Sequence, residues 1–501
     1  MNTIKRTEYC VNETITQKSA EQSVDMEMNL PDYCADIQNI LQCFAFANVT
    51  SGSVSEGIIK IEGTILVRVL YLNEGEIYSY EQSEPFSKRI ENDNYDIGAV
   101  MSLNTALQYI NCRATGSRKI EVHGAFHIDV KISACRTASV IDEIDEKHIQ
   151  VNKDTLSACT ACANASVTAN VNQIVDIGTD KPPMSSIIRT TSTPYIVETK
   201  QVGGKILIKA EIKIKTLYKS ENASVEYVEN TLPLSQIMDI EGMDENSTVD
   251  IKIRLSSVDI TIKPSALGNM SLLDISVGAM INACAYNCID FPVVKDAYST
   301  EYACDCTFKE VCVDRIVTTL SKSYMHEFES DAISDIATVI DVWCDDINTV
   351  ANLNNHDLIL SGSFKAYVLY EDINGVLNLK SKQTEFSFSE PIEDVSQIKC
   401  YPEGIILGTD YMIAENHLNL RTDIKISAVV FESKMQKVID EINLSENPIE
   451  KPAAIYIYYA KKQEKLWKIA RKFHTTVARI MKDNDMENDE MESDMPLIIS
   501  D

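Results

Sequence analysis

Pairs of cysteine and histidine residues are the side chains of this sequence that could bind a metal ion or carry out thiol chemistry. Cys159 and Cys162 have the Cys-x-x-Cys spacing found in zinc sites and in thiol redox motifs. No second pair of this kind and no histidine pair accompanies them, so we interpret them as structural. His123 and His127 are four residues apart, but they lie in a strand-like run, where this spacing does not form a compact helical ligand pair. The sequence therefore predicts no metal site and no cofactor.

The motifs of common catalytic sites are absent from the sequence as well. It has no glycine-rich phosphate loop, no Gly-x-Ser-x-Gly elbow and no His-Glu-x-x-His helix. Paired carboxylates are frequent, but among 75 acidic residues they are typical of a solvated surface. No segment is typical of a signal peptide, so we expect the 14 cysteines to be reduced and structural, including Cys284, Cys288, Cys304 and Cys306. We predict that the protein is not an enzyme.

The distribution of charge excludes some partners and suggests another. A formal net charge of -29 argues against nucleic acid and anionic membranes, because both attract basic surfaces, and no apolar run is long enough to span a bilayer. Residues 451–482 nevertheless carry nine basic side chains and one acidic, whereas residues 483–501 carry eight acidic and no basic side chains. This contrast indicates a basic module for an acidic partner, shielded in part by an acidic tail. The alternative is a solvated face followed by a frayed terminus.

The local pattern of residues 451–501 predicts a strand, two helices and a final strand. Apolar residues at 466, 469, 470 and 473 share one helical face, and Thr475 or Thr476 is a suitable N-cap for the second helix. A module of about fifty residues without cysteines is near the lower limit for independent folding, so we expect it to lean on a partner.

The same module contains our candidate partner-binding residues. Trp467 lies off the apolar helical face and would present a large amphipathic ring, the kind of anchor that dominates interfaces. The alternative is a capped core tryptophan that packs against the terminal strand. Basic side chains on the helices would steer an acidic partner. The candidates are Lys465, Trp467, Lys468, Arg471, Lys472 and Arg479.

A threefold internal repeat organises the first 450 residues. An apolar triplet with helical spacing stands 31 residues before a Leu-Tyr pair in each copy, counted from the middle apolar residue. The triplets are Ile37/Ile40/Leu41, Met184/Ile187/Ile188 and Ile336/Val339/Ile340, and the pairs are Leu70-Tyr71, Leu217-Tyr218 and Leu369-Tyr370. The spacing of the triplets predicts a short helix in each copy.

The residues before and after each Leu-Tyr pair alternate as in half-buried strands. The inward residue eight positions before the tyrosine is small in all three copies (Gly63, Ala210, Gly362), which predicts close approach of another backbone or a bulge. An apolar-Ser step follows at Phe86, Leu234 and Phe388, and a second alternating strand closes each copy at 120–132, 273–285 and 418–430.

These patterns predict a mainly β fold with three sandwich-like domains and a small βααβ domain. We place the boundaries at 1–150, 151–315, 316–447 and 451–501. We expect the three tyrosines to be structural, with the ring packed and the hydroxyl at an edge.

The C-terminal module resembles the LysM domain, a βααβ module best known for binding N-acetylglucosamine glycans. The resemblance rests on the run from Leu466 to Phe473, with its Leu-Trp-x-Ile-Ala core, and on the Thr-Thr-Val that begins at Thr475. Glycan-binding members usually carry a Gly-Asp-Thr loop, which forms one wall of the sugar groove. This sequence has Gln463, Glu464 and Lys465 in that loop.

The tandem repeats followed by a LysM-like module resemble the SipL-like family of clostridial spore-coat morphogenetic proteins, which consist of SPOCS domains and a terminal LysM domain. The resemblance implies a protein of the mother-cell cytoplasm at the forespore surface, within the spore coat. It also implies docking through the LysM module on the coat-basement ATPase, contact with other coat proteins, and a role in coat encasement. The alternative function is a protein that binds the glycan of peptidoglycan.

Overall fold

The computed structural model describes residues 3–55, 57–92, 100–330, 336–393, 395–414, 417–451, 453–491 and 493–500. The first repeat contains β1 (Thr3–Asn29), β2 (Asn39–Ser55), β3 (Ile58–Asn73), β4 (Glu76–Glu91), β5 (Val100–Gly116) and β6 (Lys119–Asp145). The second contains β7 (Ile149–Asp176), β8 (Met184–Val202), β9 (Lys205–Ser220), β10 (Val225–Asp239), β11 (Thr248–Lys263) and β12 (Leu272–Ser299). The third contains β13 (Tyr302–Glu329), β14 (Ile336–Asn354), β15 (Asp357–Asp372), β16 (Leu377–Pro391), β17 (Ile398–Cys400), β18 (Glu403–Ala414) and β19 (His417–Pro448). The C-terminal domain contains β20 (Ile455–Ala460), α1 (Leu466–Lys472), α2 (Val477–Asp483) and β21 (Met495–Ser500).

Each repeat is a sandwich of two antiparallel sheets with the same connectivity. In the first, β3 lies between β2 and β4, and β6 lies between β1 and β5. The second repeats this order with β8-β9-β10 and β7-β12-β11, and the third with β14-β15-β16 and with β19 between β13 and the pair β17 and β18. Inward residues of both sheets form one apolar core per repeat. The prediction of a mainly β fold with a small βααβ C-terminal domain is confirmed.

The prediction of a short helix in each repeat is wrong. Within the part of the chain that the structure describes, both helices belong to the C-terminal domain. The triplets lie at the start of β2, β8 and β14, except that Ile37 stands two residues before β2. The ladder skips Leu41, Ile188 and Ile340, so each copy has a β-bulge at the last residue of its triplet. A bulge adds one residue on one strand. The last two residues of each triplet are therefore both apolar because they pack into two different cores. Their spacing from the first residue is the i, i+3, i+4 spacing of an apolar helical face, although the segment is extended.

The Leu-Tyr pairs also divide their side chains between two cores. Tyr71 and Tyr218 are buried in their own sandwiches, and each hydroxyl donates to a carbonyl oxygen 36 residues earlier, that of Ala35 at 3.1 Å and that of Pro182 at 3.2 Å. Tyr370 is buried in the third sandwich. The predicted structural role of the tyrosines is confirmed.

The small residues before each tyrosine admit a neighbouring backbone. A Cβ atom at Gly63 would lie 2.4 Å from the carbonyl oxygen of Asn48 and 2.7 Å from the Phe86 ring. At Gly362 it would lie 1.9 Å from the carbonyl oxygen of Asn348. Both distances are shorter than van der Waals contact allows, so the predicted close approach is confirmed.

The register corrects the apolar-Ser step of the third repeat. Phe86 pairs with Gly63 and Leu234 pairs with Ala210. In the third repeat the partner of Gly362 is Phe386, two residues before the predicted Phe388. Phe386 and Phe388 point to the same side of β16, so sequence spacing alone could not distinguish them.

One apolar cluster joins the three sandwiches. Its buried members include Leu70, Leu217 and Leu369, the leucines of the three Leu-Tyr pairs, and the bulged residues Leu41, Ile188 and Ile340 either belong to it or pack against it. Neighbouring contacts run from β4 to β8, from β10 to β14 and from β16 to β2, so each repeat touches the other two and the ring of three is closed. We refer to this cluster as the central core.

The outer halves of the long strands form a second junction between repeats. Beyond the sandwiches, β6, β12 and β19 each continue with a consecutive pair of buried apolar residues: Val140-Ile141, Val293-Val294 and Val438-Ile439. These pairs pack with their paired strands β1, β7 and β13 in two clusters that include all three repeats. We call the paired ends of these strands the arms. They hold the ring together at a second place, outside the central core.

The strands set the limits of the repeats. The first unit ends at Asp145, the second runs from Ile149 to Ser299, and the third runs from Tyr302 to Pro448. The predicted boundary at 315/316 lies inside β13, because the sequence pattern did not reveal that this strand opens the third unit as β1 opens the first.

A buried ion pair makes the three junctions different from one another. The residues opposite the three central-core leucines are Gln42, Arg189 and Asp341. Arg189 Nη2 lies 3.0 Å from Asp341 Oδ2, and the two side chains are 4% and 0% exposed. The Arg189 guanidinium also stacks on Trp343 at 3.8 Å, and Lys215 approaches the other carboxylate oxygen. Equivalent positions thus carry a neutral, a positive and a negative side chain, which fixes which repeat faces which.

The Asp341→Asn substitution should destabilise the whole ring. It keeps the side-chain volume but removes the carboxylate that pairs with buried Arg189, and breaking a buried pair typically costs about 3–5 kcal/mol. Urea unfolding should show this loss in one transition, because the central core is shared by all repeats. The matched control is Asp239→Asn, which removes an exposed pair with Lys205 and should cost less than about 1 kcal/mol. Equal effects of the two substitutions would contradict a structural role of the buried pair.

Candidate functional site

The C-terminal domain folds around the helical face predicted from the sequence. Leu466, Ile469 and Ala470 are fully buried, together with Leu497 and Ile499 of β21. Thr476 caps α2, since its hydroxyl accepts a hydrogen bond from the Arg479 amide at 3.1 Å. The predicted N-cap and the predicted apolar face are both confirmed.

This small domain leans on the second repeat of its own chain. Tyr298, at the end of β12, is 3% exposed and belongs to the apolar core of the C-terminal domain. Its hydroxyl donates to the carbonyl oxygen of Thr475 at 2.8 Å, and burial raises its pKa. His474 Nδ1 lies 3.1 Å from the carbonyl oxygen of Ser299. The support that the sequence predicted for this domain thus comes at least in part from an arm of the scaffold.

Two of the six candidate residues are engaged in this contact. Trp467 Nε1 donates to Asp296 Oδ2 at 2.8 Å, and its ring meets Tyr298 edge-on with 4.9 Å between centroids. Arg471 Nη1 lies 2.9 and 3.0 Å from the two carboxylate oxygens of Asp296. Trp467 is therefore half-buried against the second repeat. The free-anchor interpretation does not describe this position. The alternative of a capped core tryptophan does so in part, because Trp467 packs against the domain core that includes Leu497 and Ile499, but its cap is Asp296 of the second repeat.

The other four candidates lie elsewhere on the surface of the domain. Lys465 and Lys468 are exposed, as is Lys472, whose ammonium group stacks 4.8 Å from the centroid of the Tyr458 ring. Arg479 Nε donates to Ser500 Oγ at 2.9 Å. The six residues therefore do not form one patch: two are turned to Asp296 and the others are accessible to solvent.

The loop between β20 and α1 is paired with the segment before β21. The Gln463 amide donates to the Met491 carbonyl at 2.8 Å, the Leu466 amide to the Asp489 carbonyl at 2.8 Å, and the Met491 amide to the Glu464 carbonyl at 3.1 Å. Met491 is 2% exposed between them. Backbone pairing thus joins the two loops directly.

Glu464 completes this loop from within. Its carboxylate accepts hydrogen bonds from the Tyr458 hydroxyl at 2.9 Å and from the Lys461 amide at 3.1 Å, and the first of these raises the pKa of Tyr458. Both carboxylate oxygens therefore hold the strand-to-helix connection rather than face an open groove.

The acidic segment is folded onto the domain and is not a frayed tail. Asp483 accepts from the Ser500 hydroxyl, and Asn484 bonds the amide and carbonyl of Ile498, each at 2.7 Å. The Asp494 carboxylate accepts from the Lys462 amide at 2.6 Å. Deleting residues 483–494 would remove these contacts, so it would unfold the domain rather than unmask a basic surface.

An exposed apolar face was missed by the sequence analysis. On the side of the β20–β21 sheet opposite the helices, Ile455, Ile457 and Tyr459 are 63%, 69% and 76% exposed, and Ile498 is 49% exposed. Ile457 and Ile498 are directly paired across the two strands. The run Ile-Tyr-Ile-Tyr-Tyr contained the signal, because a strand that is apolar on both faces leaves one face uncovered in a two-stranded sheet. We refer to these four residues as the outer sheet face.

The cysteines and histidines differ in part from expectation. Cys159 and Cys288 are paired in register on β7 and β12 and form a disulfide, so the prediction of reduced thiols is wrong for this pair. The disulfide could be predicted only from the register of β7 against β12, which the sequence did not reveal. The Cys162 side chain lies outside the described residues. His123 and His127 contact separate carboxylates, of Asp25 and Asp129.

Two further observations concern metals and membranes. Among the side chains that the structure describes, no group of three or more His, Cys, Asp or Glu residues is placed to hold a metal ion. Neither of the helices in the described ranges is long and apolar enough to cross a bilayer.

Comparison with known protein families identifies two kinds of domain. Residues 36–115 and 183–263 match the SPOCS domain of SipL, and residues 458–500 match the LysM domain. The SPOCS matches cover β2 to β5 of the first repeat and the equivalent strands of the second. No curated protein and no solved structure matches the chain.

The Gln463→Gly substitution should stabilise the LysM domain by about 0.5–1 kcal/mol. Gln463 has a φ of 67°, a conformation that costs a residue with a side chain about 1–2 kcal/mol. Glycine avoids this strain, but its greater entropy in the unfolded state offsets part of the stabilisation. Hydrogen exchange of the α1 amides in the full chain measures the change. The control Lys468→Gly, inside α1, should instead lower stability by about 1 kcal/mol. Destabilisation by Gln463→Gly would contradict the strain at this turn.

Proposed function

Because the chain has the SipL-like architecture of SPOCS segments followed by a C-terminal LysM domain, we propose that it is a non-enzymatic adaptor of spore-coat assembly. In this proposal the LysM domain docks on the coat-basement ATPase, and the ring of three repeats is the scaffold that contacts other coat proteins. The adaptor acts in the mother-cell cytoplasm at the forespore surface and promotes encasement.

The outer sheet face is the observation that carries this proposal. Three isoleucines and a tyrosine stand side by side on a two-stranded sheet, each with about half or more of its surface in water. Exposed contiguous apolar residues on a folded domain mark interaction sites, and tyrosine is enriched among the residues that dominate binding energy. The surface suits a protein partner with a complementary apolar patch.

The exposed basic side chains support a protein partner as well. Lys465 and Lys468 project from the start of α1, and the first 450 residues carry the whole net charge of the chain. A basic surface attached to an acidic scaffold would orient an acidic partner towards the LysM domain, which mainly raises the rate of association. These two residues remain candidates for docking.

Binding of the glycan of peptidoglycan is the second candidate function, and the LysM match favours it. Two observations count against it. The Gly-Asp-Thr loop is replaced, and Glu464, one of the replacing residues, uses its carboxylate to hold the connection. The backbone pairing of Gln463 and Leu466 with the Met491 segment holds the two loops together, so they are not free to part around a sugar.

The Ile457→Glu substitution should weaken capture of the coat-basement ATPase at least tenfold. Ile457 is 69% exposed, so the charge is tolerated by the LysM fold but opposes an apolar contact. Binding of the full-length purified proteins measures the effect. The matched control is Ile174→Glu, on β7, where the exposed fraction is 63% and binding should be unchanged.

Full-length variants test this proposal better than truncation at residue 450 or the Trp467→Ala substitution. Truncation would expose Tyr298, and Trp467→Ala would also remove the bond to Asp296. Sedimentation with peptidoglycan is measured in parallel. Unchanged ATPase binding by Ile457→Glu would contradict docking through the outer sheet face, and sedimentation without ATPase binding would favour the glycan function.

A further inference from the structure

The contact between the second repeat and the LysM domain has the features of a bound peptide. Four consecutive residues at the end of β12, Asp296 to Ser299, supply a carboxylate, a phenol and a backbone carbonyl oxygen to the LysM domain. We call them the arm segment. They lie more than 160 residues before α1 in sequence, so the contact is a tertiary one and not a local turn.

The α1 residues that receive this segment converge on one acidic side chain. Trp467 and Arg471 are one helical turn apart and both donate to the Asp296 carboxylate, at 2.8 to 3.0 Å. Hydrogen bonds with a charged partner are shorter and stronger than neutral ones. The exposed fraction of the Asp296 side chain is 23%, against 48% for Arg471, so water competes only partly for this contact.

The backbone of β12 is shaped to deliver Asp296. The ladder with β7 has a register shift between Val294 and Asp296, so Lys295 is the extra residue of a bulge and pairs with Asp154 instead. A bulge changes the direction of the side chains beside it. Two residues later, Tyr298 places its ring against Trp467 and its hydroxyl on the carbonyl oxygen of Thr475. The recognised pattern is therefore a carboxylate followed, two positions on, by a tyrosine in an extended strand.

We propose that the Trp467–Arg471 side of α1, with His474 and Thr475, is a binding site for extended segments of the pattern acidic-x-Tyr, and that the arm segment occupies it in cis. This inference rests on the proposed docking role of the LysM domain, and it adds a second surface to that domain. The outer sheet face is open, whereas the α1 site is closed by the arm segment. A partner segment of the same chemistry gains the site only when the arm segment leaves it.

The variants Asp296→Ala and Asp296→Ala/Tyr298→Phe test release of the site. The double variant removes the hydrogen bonds of Trp467, Arg471 and Tyr298 across the contact, so only the ring at position 298 and the Ser299 carbonyl oxygen still hold the arm segment, and a peptide in excess can displace it. The chain has two tryptophans, so ¹⁹F NMR of the 5-fluorotryptophan protein gives one signal for Trp467 and one for Trp343, which is 4% exposed and reports that the ring remains folded. The Trp467 signal should move towards that of a solvent-exposed indole, and the Trp343 signal should stay.

A peptide probe tests recognition. A synthetic peptide with the sequence of residues 294–301, immobilised at high density, should retain the double variant at least tenfold more than the wild-type chain. A peptide with alanine at the position of Asp296 should retain neither. The control variant Asp290→Ala, on the same strand but bonded to Ser157, should behave as wild type in both measurements.

The outcomes separate this inference from the proposed function, because neither measurement uses the ATPase. An unchanged Trp467 signal in the double variant would show that the arm segment does not close the site. A moved signal without peptide retention, or equal retention of wild type and double variant, would show that the site does not select this pattern. Failure of the wild-type chain to capture the ATPase would contradict the proposed partner, but it would not affect the conclusion about the α1 site.

Discussion

The structure depends on one constraint: each of the three repeats has a leucine at the equivalent position, and all three leucines must be buried in one shared core. Leu70, Leu217 and Leu369 each directly precede, in the same strand, a tyrosine that packs inside its own sandwich, so neighbouring residues of one pair serve two cores. The β-bulges at Leu41, Ile188 and Ile340 do the same from the adjacent strand. None of the sandwiches can cover its leucine alone, which explains why the repeats form a closed ring rather than three independent beads. The arms repeat this arrangement with three pairs of buried apolar residues at a second level.

The ring also decides where the LysM domain lies. Arg189 and Asp341 occupy equivalent positions in two repeats and pair with each other, so the threefold arrangement is broken in a defined way. The arm of the second repeat ends in Asp296 and Tyr298, and the LysM domain completes its apolar core on that tyrosine. A domain of this size gains from such a support, because its own core is small. The outer sheet face lies on the opposite side of the LysM sheet from the helices and stays uncovered.

Local patterns allowed a good part of this to be predicted, and long-range pairing explains the rest. The alternating strands, the buried tyrosines and the apolar face of α1 depend on residues within one element, so the sequence was sufficient for them; for the cap of α2 it left Thr475 and Thr476 as alternatives. The triplets misled, because a bulge that divides side chains between two cores imitates helical spacing. Trp467 and Asp296 are 171 residues apart and Arg189 and Asp341 are 152 apart, so no local pattern could bring them together. The Cys159–Cys288 disulfide was not predicted for the same reason.

The central claim is that the outer sheet face of the LysM domain meets the coat-basement ATPase in the sporulating cell. A photo-crosslinking amino acid at the position of Tyr459, whose side chain is 76% exposed, tests it most directly. Mass spectrometry of the cross-linked products identifies the neighbour, with the same amino acid at Ile174 as the reference for accidental contacts. The account predicts cross-links to the ATPase from the Tyr459 position and none from the Ile174 position. Cross-links from Tyr459 to other molecules, with the ATPase absent among them, would contradict it.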